Sequence, residues 1–164
     1  KKIIEIIDVV FTTGGVSVGK KDIMHEVIKV LNAKKIFWRV NMKPGTPAIY
    51  ALYQNKPLLC LSGNPFAAAA TFELMGKPLL YKLLKDPDLK EEKKQAILQD
   101  DFLKASRGRR FIRAIYEDGE VYLPKNGGHS SGMLASMIGC NCLVDIKPGT
   151  PELNKGQKVE VVLL

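Results

Sequence analysis

The stretch that decides the fold is residues 6–22, which read IIDVVF and then TTGGVSVGKKD. Residues 6–11 form a short apolar run, which is typical of a buried strand in a parallel sheet. Residues 12–19 contain too much glycine for regular structure, and Asp22 opens a pattern with helical spacing. A glycine-rich turn between a strand and a helix presents backbone N–H groups to an anion. The segment therefore predicts an α/β unit with an anion site in this turn.

The residues that would form this anion site are Gly14, Gly15, Ser17 and Asp22. The spacing matches neither the Walker A loop nor the G-x-G-x-x-G dinucleotide fingerprint, so the turn does not define one nucleotide class. Ser17 offers a hydroxyl, and Asp22 offers a carboxylate that would hold Mg²⁺ or a ring N–H group. The alternative is a tight structural turn in which Asp22 only caps the following helix.

Two further turns follow apolar runs of the first half. Residues 61–65 (LSGNP) precede a long apolar segment with helical composition, in which Asn64 is the expected N-cap and Pro65 the first helical residue. Residues 43–47 (KPGTP) put Lys43 on a rigid turn. Loops that leave the carboxyl ends of parallel strands gather at one edge of a sheet, where ligands bind. We therefore expect Gly63, Asn64 and Lys43 at the same edge as the glycine-rich turn.

The second half reads as a succession of short strands. The candidates are residues 94–99, 110–116, 120–123, 142–146 and 157–163. This spacing predicts a small β barrel or sandwich. We expect an α/β domain over residues 1–86, with a mixed and mostly parallel sheet, followed by a small β-barrel-like domain over residues 87–164.

Composition limits the function classes. The chain has 25 basic and 17 acidic residues, a net charge of +8, which favours anionic ligands. The basic residues are scattered and not interleaved with aromatic side chains, so we expect no nucleic-acid partner. We also expect no membrane partner, because the longest apolar stretch is interrupted by polar residues. The three cysteines make no even disulfide framework and suggest thiols in a reducing cytoplasm.

Two segments of the second half carry polar side chains with chemical potential. Residues 107–113 (RGRRFIR) would either grip an oxyanion or solvate a strand edge. His129 and Ser131 lie in a hydroxyl-rich loop, but no orienting acid accompanies them, so hydrolysis by a Ser/His pair is not favoured. The pentapeptide KPGTP recurs at residues 147–151, where it is interpreted as a simple turn.

As an ordered set, these motifs resemble the molybdopterin molybdenumtransferases, a family that includes the E domain of gephyrin. The matching residues are 13–19 with Asp22, then 43–45 with Pro47, then 63–65, and finally 131–134 with Asn141. The resemblance covers nearly the whole chain. It implies the later part of a molybdopterin-binding α/β domain followed by the family's C-terminal β domain.

The resemblance also implies an activity. Family members insert molybdate into adenylylated molybdopterin and release AMP in a Mg²⁺-dependent step. By position, Gly14, Gly15, Ser17 and Asp22 would hold the pterin phosphate and Mg²⁺, with Asp22 as the metal ligand. Lys43, Arg109 and Ser131 would face molybdate. A homodimer is implied, with a molybdopterin adenylyltransferase as pathway partner, and the alternative is a non-catalytic molybdopterin-binding or scaffold protein of the same fold.

This sequence departs from the family pattern at several positions. The family usually has lysine where Thr46 stands, proline where Ser62 stands and serine where Ala67 stands. A glutamate common between the family's arginines is absent, so Arg109 and Arg110 are alternatives for one role. The abrupt start of the first half predicts a truncated α/β domain with an unfilled sheet edge, and a fragment that is inactive alone.

Overall fold

The computed structural model describes residues 2–17, 22–124 and 137–164. The elements of the first half include α1 (Lys2–Glu5), β1 (Val10–Thr13), α2 (Met24–Val30), β2 (Lys34–Trp38), β4 (Ile49–Tyr53) and β5 (Lys56–Leu61). The strands form a four-stranded sheet in the order β1, β5, β4, β2. The predicted mixed α/β class is confirmed. The expectation of a mostly parallel sheet is wrong for the described strands, because β1 with β5 is the only parallel pairing among the three that this sheet contains.

The antiparallel pairs arise from local turn chemistry. Gln54 and Asn55 join β4 to β5 and both adopt positive φ angles, 50° and 63°, as a two-residue type I′ hairpin turn requires. β4 and β5 therefore form a tight antiparallel hairpin. Among the described residues β1 pairs only with β5, so its other edge carries unpaired backbone groups.

A continuous helical run follows the C-terminal end of β5. It consists of α3 (Pro65–Thr71), a π-helical segment (Phe72–Gly76) and α4 (Lys77–Leu84). Asn64 begins it as predicted, because its Oδ1 accepts a hydrogen bond from the Ala67 N–H at 3.0 Å. Lys85 ends it in the left-handed conformation, with φ at 59°.

The second half forms a closed five-stranded barrel. Its strands are β6 (Lys93–Leu98), β7 (Arg109–Glu117), β8 (Glu120–Tyr122), β9 (Cys142–Ile146) and β10 (Lys158–Leu163). They follow the order β7, β8, β6, β10, β9, and the pairing of β9 with β7 closes the ring. All five predicted strands are present. Small and branched side chains fill the interior, among them Ala96, Ala114, Val144 and Val161.

A short strand of the first half joins the barrel. β3 (Met42–Lys43) pairs in parallel with the start of β7, so that Lys43 lies opposite Arg110 in the register. The two halves are therefore linked by backbone hydrogen bonds as well as by the chain itself. The division at residue 86 stays a prediction, because a residue pair from before it belongs to the second sheet.

Candidate functional site

A basic cavity lies where the first half meets the barrel, with a volume of about 490 Å³. The turn after β3 and the start of α3 form one wall, and β7 with the loop before it forms the other. The lining residues are Lys43, Pro44, Gly45, Thr46, Pro47, Ser62, Asn64, Phe66, Ala67, Lys104, Arg110, Phe111, Ile112 and Arg113. Four of them are cations, and the described lining includes no carboxylate. The cavity therefore favours an anion.

The turn that carries Lys43 is fixed against α3. Gly45 adopts a φ of +96°, and a Cβ built there would overlap the Thr71 hydroxyl, so only glycine fits. Thr46 Oγ1 donates a hydrogen bond to the Met42 carbonyl at 2.7 Å, which closes the turn from within. The Lys43–Pro44 peptide bond is cis. Lys43 is thus presented to the cavity from a rigid support.

Arg113 forms the deep wall of the cavity. Arg113 is only 1% exposed, and its guanidinium group lies over the Phe66 ring, 4.4 Å from the ring centroid. Burial lowers the pKa of Arg113, although the group stays protonated at neutral pH because its ordinary pKa is far above 7. A charged side chain that is almost fully buried is itself a signal of function, because burying a charge is costly.

Arg109 and Arg110 have different surroundings. Arg109 makes a two-pronged ion pair with Asp145, from Nε at 2.9 Å and from Nη2 at 2.7 Å. Arg110 lines the basic cavity instead. Successive side chains of a strand point to opposite faces, which explains why the two arginines diverge. The geometry supports Arg110 rather than Arg109 as the arginine that faces a ligand in this cavity.

Asp145 is the centre of a charge cluster outside the cavity. Its side chain is fully buried, and Lys147 binds the same carboxylate as Arg109. Burial raises the pKa of Asp145, but the hydrogen bonds from Arg109 and Lys147 outweigh it, so the pKa lies below its ordinary value. The second KPGTP segment thus carries a lysine in an ion pair, consistent with its interpretation as a structural turn.

The glycine-rich turn and the turn before α3 lie in contact, as the shared-edge prediction required. A Cβ built on Gly63 would lie 3.2 Å from the Gly14 Cα, and the Gly14 N–H donates to the Leu61 carbonyl at 2.9 Å. Gly63 therefore permits the close approach of the two turns, and Gly14 is needed for its positive φ of 88°, whatever the turns bind. The Gly14 amide is occupied by this internal bond.

Two internal donors orient the rest of the glycine-rich turn. The Gly15 carbonyl accepts from the Met24 N–H at 3.0 Å, and the Val16 carbonyl accepts from Trp38 Nε1 at 2.9 Å. Trp38 also packs edge-on against His25, with ring centroids 4.7 Å apart. With both carbonyls held by the protein, the turn is suited to offer N–H groups outward.

The remaining predicted residues are distributed as follows. Ser17 is half-buried at the end of the described part of the turn, and Asp22 is half-buried just before α2. Ile23, not Asp22, is the N-cap of α2, and no side chain caps that helix. Neither Ser17 nor Asp22 lines the basic cavity. Ser131 and His129 lie outside the described residues.

Sequence reasoning missed several residues of the cavity. Arg113 was recognised only as a member of a basic cluster and Arg110 only as an alternative to Arg109, and the exposed Lys104 carried no signal because it lies in an irregular loop. Within residues 2–17, 22–124 and 137–164, no group of three or more His, Cys, Asp or Glu side chains is arranged to hold a metal ion. None of the helices described is long and apolar enough to cross a membrane.

Each half of the chain matches a known protein family. Residues 2–82 match the probable molybdopterin binding domain, and residues 95–164 match the MoeA C-terminal region, domain IV. The chain is 35% identical to molybdopterin molybdenumtransferases of Staphylococcus aureus strain COL and of Staphylococcus epidermidis, over 99% of its own length. It spans 39% of each of those relatives.

Solved structures agree. A molybdopterin biosynthesis MoeA protein from Pyrococcus horikoshii superposes with a TM-score of 0.79 at 28% identity, covering 99% of this chain and 38% of that one. A molybdenum cofactor biosynthesis protein from Pyrococcus furiosus gives 0.71 at 21% identity, with 97% and 69% covered, which supports the fold. The chain belongs to the molybdopterin molybdenumtransferase family.

Proposed function

We propose that this chain is part of an enzyme of molybdenum cofactor biosynthesis that inserts molybdate into adenylylated molybdopterin and releases AMP. The observation that carries the proposal is the basic cavity, which is lined by Lys43 from the first half and by Arg110 and Arg113 from the barrel. Molybdate is a tetrahedral dianion, and cations with N–H donors are the groups that bind such an oxyanion.

The cavity supplies both charge and direction. Arg110 offers a planar guanidinium group, which presents paired N–H donors, whereas Lys43 offers a point charge with three donors. The buried Arg113 adds positive charge to the wall behind them. Ser62 and Asn64 add polar groups at the start of α3. Hydrogen bonds to charged groups contribute about 1.5–3 kcal/mol each, so these side chains together would hold molybdate without a resident metal. The molybdate is the substrate of this site.

We propose the glycine-rich turn as the site for the phosphate end of adenylylated molybdopterin. It touches the turn before α3, whose neighbours Ser62 and Asn64 line the basic cavity, so the two ligands would meet across this contact. Gly15 and Ser17 would contribute backbone donors, and the Ser17 hydroxyl would add another. Gly63 would act by allowing the close approach of the two turns, and Gly14 by adopting the positive φ that its turn requires.

Asp22 remains the proposed Mg²⁺ ligand. A single carboxylate fits Mg²⁺ only if phosphate oxygens and water complete its coordination, which is the usual arrangement at nucleotide sites. The ion would neutralise the negative charge of the diphosphate group. The part of this chain around Asp22 would hold the ion beside the glycine-rich turn, and the cations of the cavity would hold molybdate apart from it.

Assembly and location complete the proposal. Further residues, a second copy, or both would complete the site for turnover, because the relatives are longer than this chain and β1 pairs on only one edge among the described residues. We propose a homodimer, with a molybdopterin adenylyltransferase as the pathway partner that delivers the substrate. The free, buried thiols of Cys60 and Cys142 favour a reducing cytoplasm.

One observation favours the non-catalytic alternative. The Thr46 hydroxyl donates its hydrogen bond to the Met42 carbonyl, and Ala67 has no polar side-chain atom to offer to the cavity. A cavity with fewer donors would bind molybdopterin through the glycine-rich turn yet handle molybdate poorly. Such a protein would retain pterin binding without AMP release.

The test is cofactor formation by the intact protein with adenylylated molybdopterin and molybdate. We expect molybdate-dependent AMP release that falls at least tenfold in Lys43→Met and stays unchanged in Lys90→Met, since Lys90 is exposed and does not line the cavity. Pterin binding without AMP release would support the scaffold alternative. Equal rates for both variants would refute the assignment of the cavity.

A further inference from the structure

Lys104 enters the basic cavity from a loop that the barrel holds in place. The loop connects β6 to β7 and is anchored on both sides of Lys104. Phe102 exchanges two backbone hydrogen bonds with Leu153, at 2.7 and 3.1 Å, and the Ser106 N–H donates to the Thr150 carbonyl at 2.9 Å. The position of Lys104 is therefore defined by two fixed points, although its side chain is exposed.

The charge of Lys104 is available to a ligand. Its ammonium group makes no ion pair with any carboxylate in the described parts of the chain, whereas Lys147 is held by Asp145 and Glu160. Lys104 nevertheless lines a cavity whose described wall includes no acid. Cations that line one cavity repel each other weakly through water, and an anion bound between them would turn that repulsion into attraction.

The turn after β3, in the opposite wall of the cavity, contributes only one positively charged side chain. Thr46 lines the cavity from the turn after β3, but its hydroxyl has one proton, and that proton is donated to the Met42 carbonyl. Towards an oxyanion Thr46 can only accept, and an oxyanion brings no donor of its own. Lys43 is thus the one side-chain cation that this turn contributes to the cavity.

We propose that Lys104 is the second lysine of the oxyanion site and closes it from the barrel side. This rests on the proposed function of the cavity. Lys43 holds the dianion from the first half and Lys104 holds it from the facing loop, so the ligand is gripped between the two halves. Lys104 acts through its charge, since the exposed stem of its side chain adds little packing.

Four variants of the intact protein test this, with molybdate as the probe in calorimetry at constant ionic strength. They are Lys104→Met, Lys104→Arg, Thr46→Lys combined with Lys104→Met, and Lys90→Met as the matched control. Lys104 is partly solvated, so we expect its loss to raise the Kd for molybdate about tenfold. The arginine variant and the double variant should recover most of the affinity, because each restores a cation to the cavity. Molybdopterin binding should change less than about twofold in all four.

Three results of these measurements would overturn the proposed role of Lys104. Molybdate binding by Lys104→Met equal to that of Lys90→Met, with the wild type binding normally, overturns the role of Lys104 and leaves the proposed function intact. A double variant as weak as Lys104→Met shows that position rather than charge matters and also overturns it. No molybdate binding by the wild type overturns the proposed function and this inference together.

Discussion

Replacing Arg109 and Arg110 separately, each by methionine, should give opposite phenotypes although the two are neighbours. Methionine keeps an unbranched apolar stem and removes only the guanidinium. Arg109 is bound to the buried Asp145, whereas Arg110 faces the basic cavity. We therefore expect Arg109→Met to cost stability and Arg110→Met to cost oxyanion binding.

The magnitude follows from the contacts. Arg109 makes two charged hydrogen bonds, which would be worth about 3–6 kcal/mol if fully buried. Its side chain is 40% exposed and Lys147 still pairs with Asp145 after the substitution, so solvent and the lysine recover part of this. A loss of about 2 kcal/mol is the reasonable value. Arg110 lies 5.7 Å from the Phe102 ring, a contact worth only about 0.5–1 kcal/mol.

Urea unfolding and thermal scans at pH 7 measure the difference. A loss of about 2 kcal/mol corresponds to a fall in Tm of about 4–8 °C for a chain of this size, against about 1–4 °C for Arg110→Met. Molybdate calorimetry at 20 °C, where both variants are folded, should show about tenfold weaker binding for Arg110→Met and less than about twofold for Arg109→Met.

The pH dependence supplies an internal check. The folded pKa of Asp145 is depressed, so its ion pair stabilises the protein fully above the unfolded pKa near 4 and is lost as the pH falls through the folded value. The stability gap between wild type and Arg109→Met should thus be constant above about pH 5 and shrink below about pH 4. Equal stability of the two variants at pH 7, or a binding defect confined to Arg109→Met, would refute the reasoning.

Three further substitutions have defined outcomes. Gly45→Ala should lower the free energy of unfolding by about 2–4 kcal/mol in urea titrations, because a Cβ at this position overlaps a buried hydroxyl of α3. Gly156→Ala is the control, since Gly156 has a similar φ but open space around it, and it should cost about 1 kcal/mol. Equal costs for the two variants would exclude the overlap. Trp38→Phe removes the donor to the Val16 carbonyl and should weaken molybdopterin binding about fivefold in fluorescence titration, and unchanged affinity would make that hydrogen bond irrelevant to the site. Asp22→Ala should abolish Mg²⁺-dependent AMP release by the intact protein without lowering Tm, whereas normal turnover would reduce Asp22 to a structural residue.

Features with a local physical cause could be predicted from the sequence. The hairpin at Gln54 and Asn55, the N-cap at Asn64 and the five strands of the barrel follow from turn chemistry and alternation, which act over a few residues. The contact of Gly14 with Gly63 followed from a rule about the edges of parallel sheets. Each of these depends on neighbours in the chain or on one general rule of topology.

The cavity itself depends on contacts that no local pattern encodes. The pairing of β3 with β7 joins residues 67 positions apart, as the register of Lys43 with Arg110 records. The partner of Arg109 is Asp145, 36 residues away, so the sequence offered no way to separate Arg109 from Arg110. Lys104 lies in an irregular loop whose direction is set by its bridges to residues 150 and 153.

The pairing of β3 with β7 also defines how the chain can be recombined with its relatives. An exchange at the link between α4 and β6 would keep both sheets but combine a β3 from one protein with a β7 from another. The crossover would cut no secondary structure, yet it would divide the wall that holds Lys43 opposite Arg110. A chimera should therefore transfer β3, its turn and the barrel as one cassette, even though they are separated along the chain by the helical run. The residues that must be exchanged together to keep this site therefore lie in two separate segments of the chain.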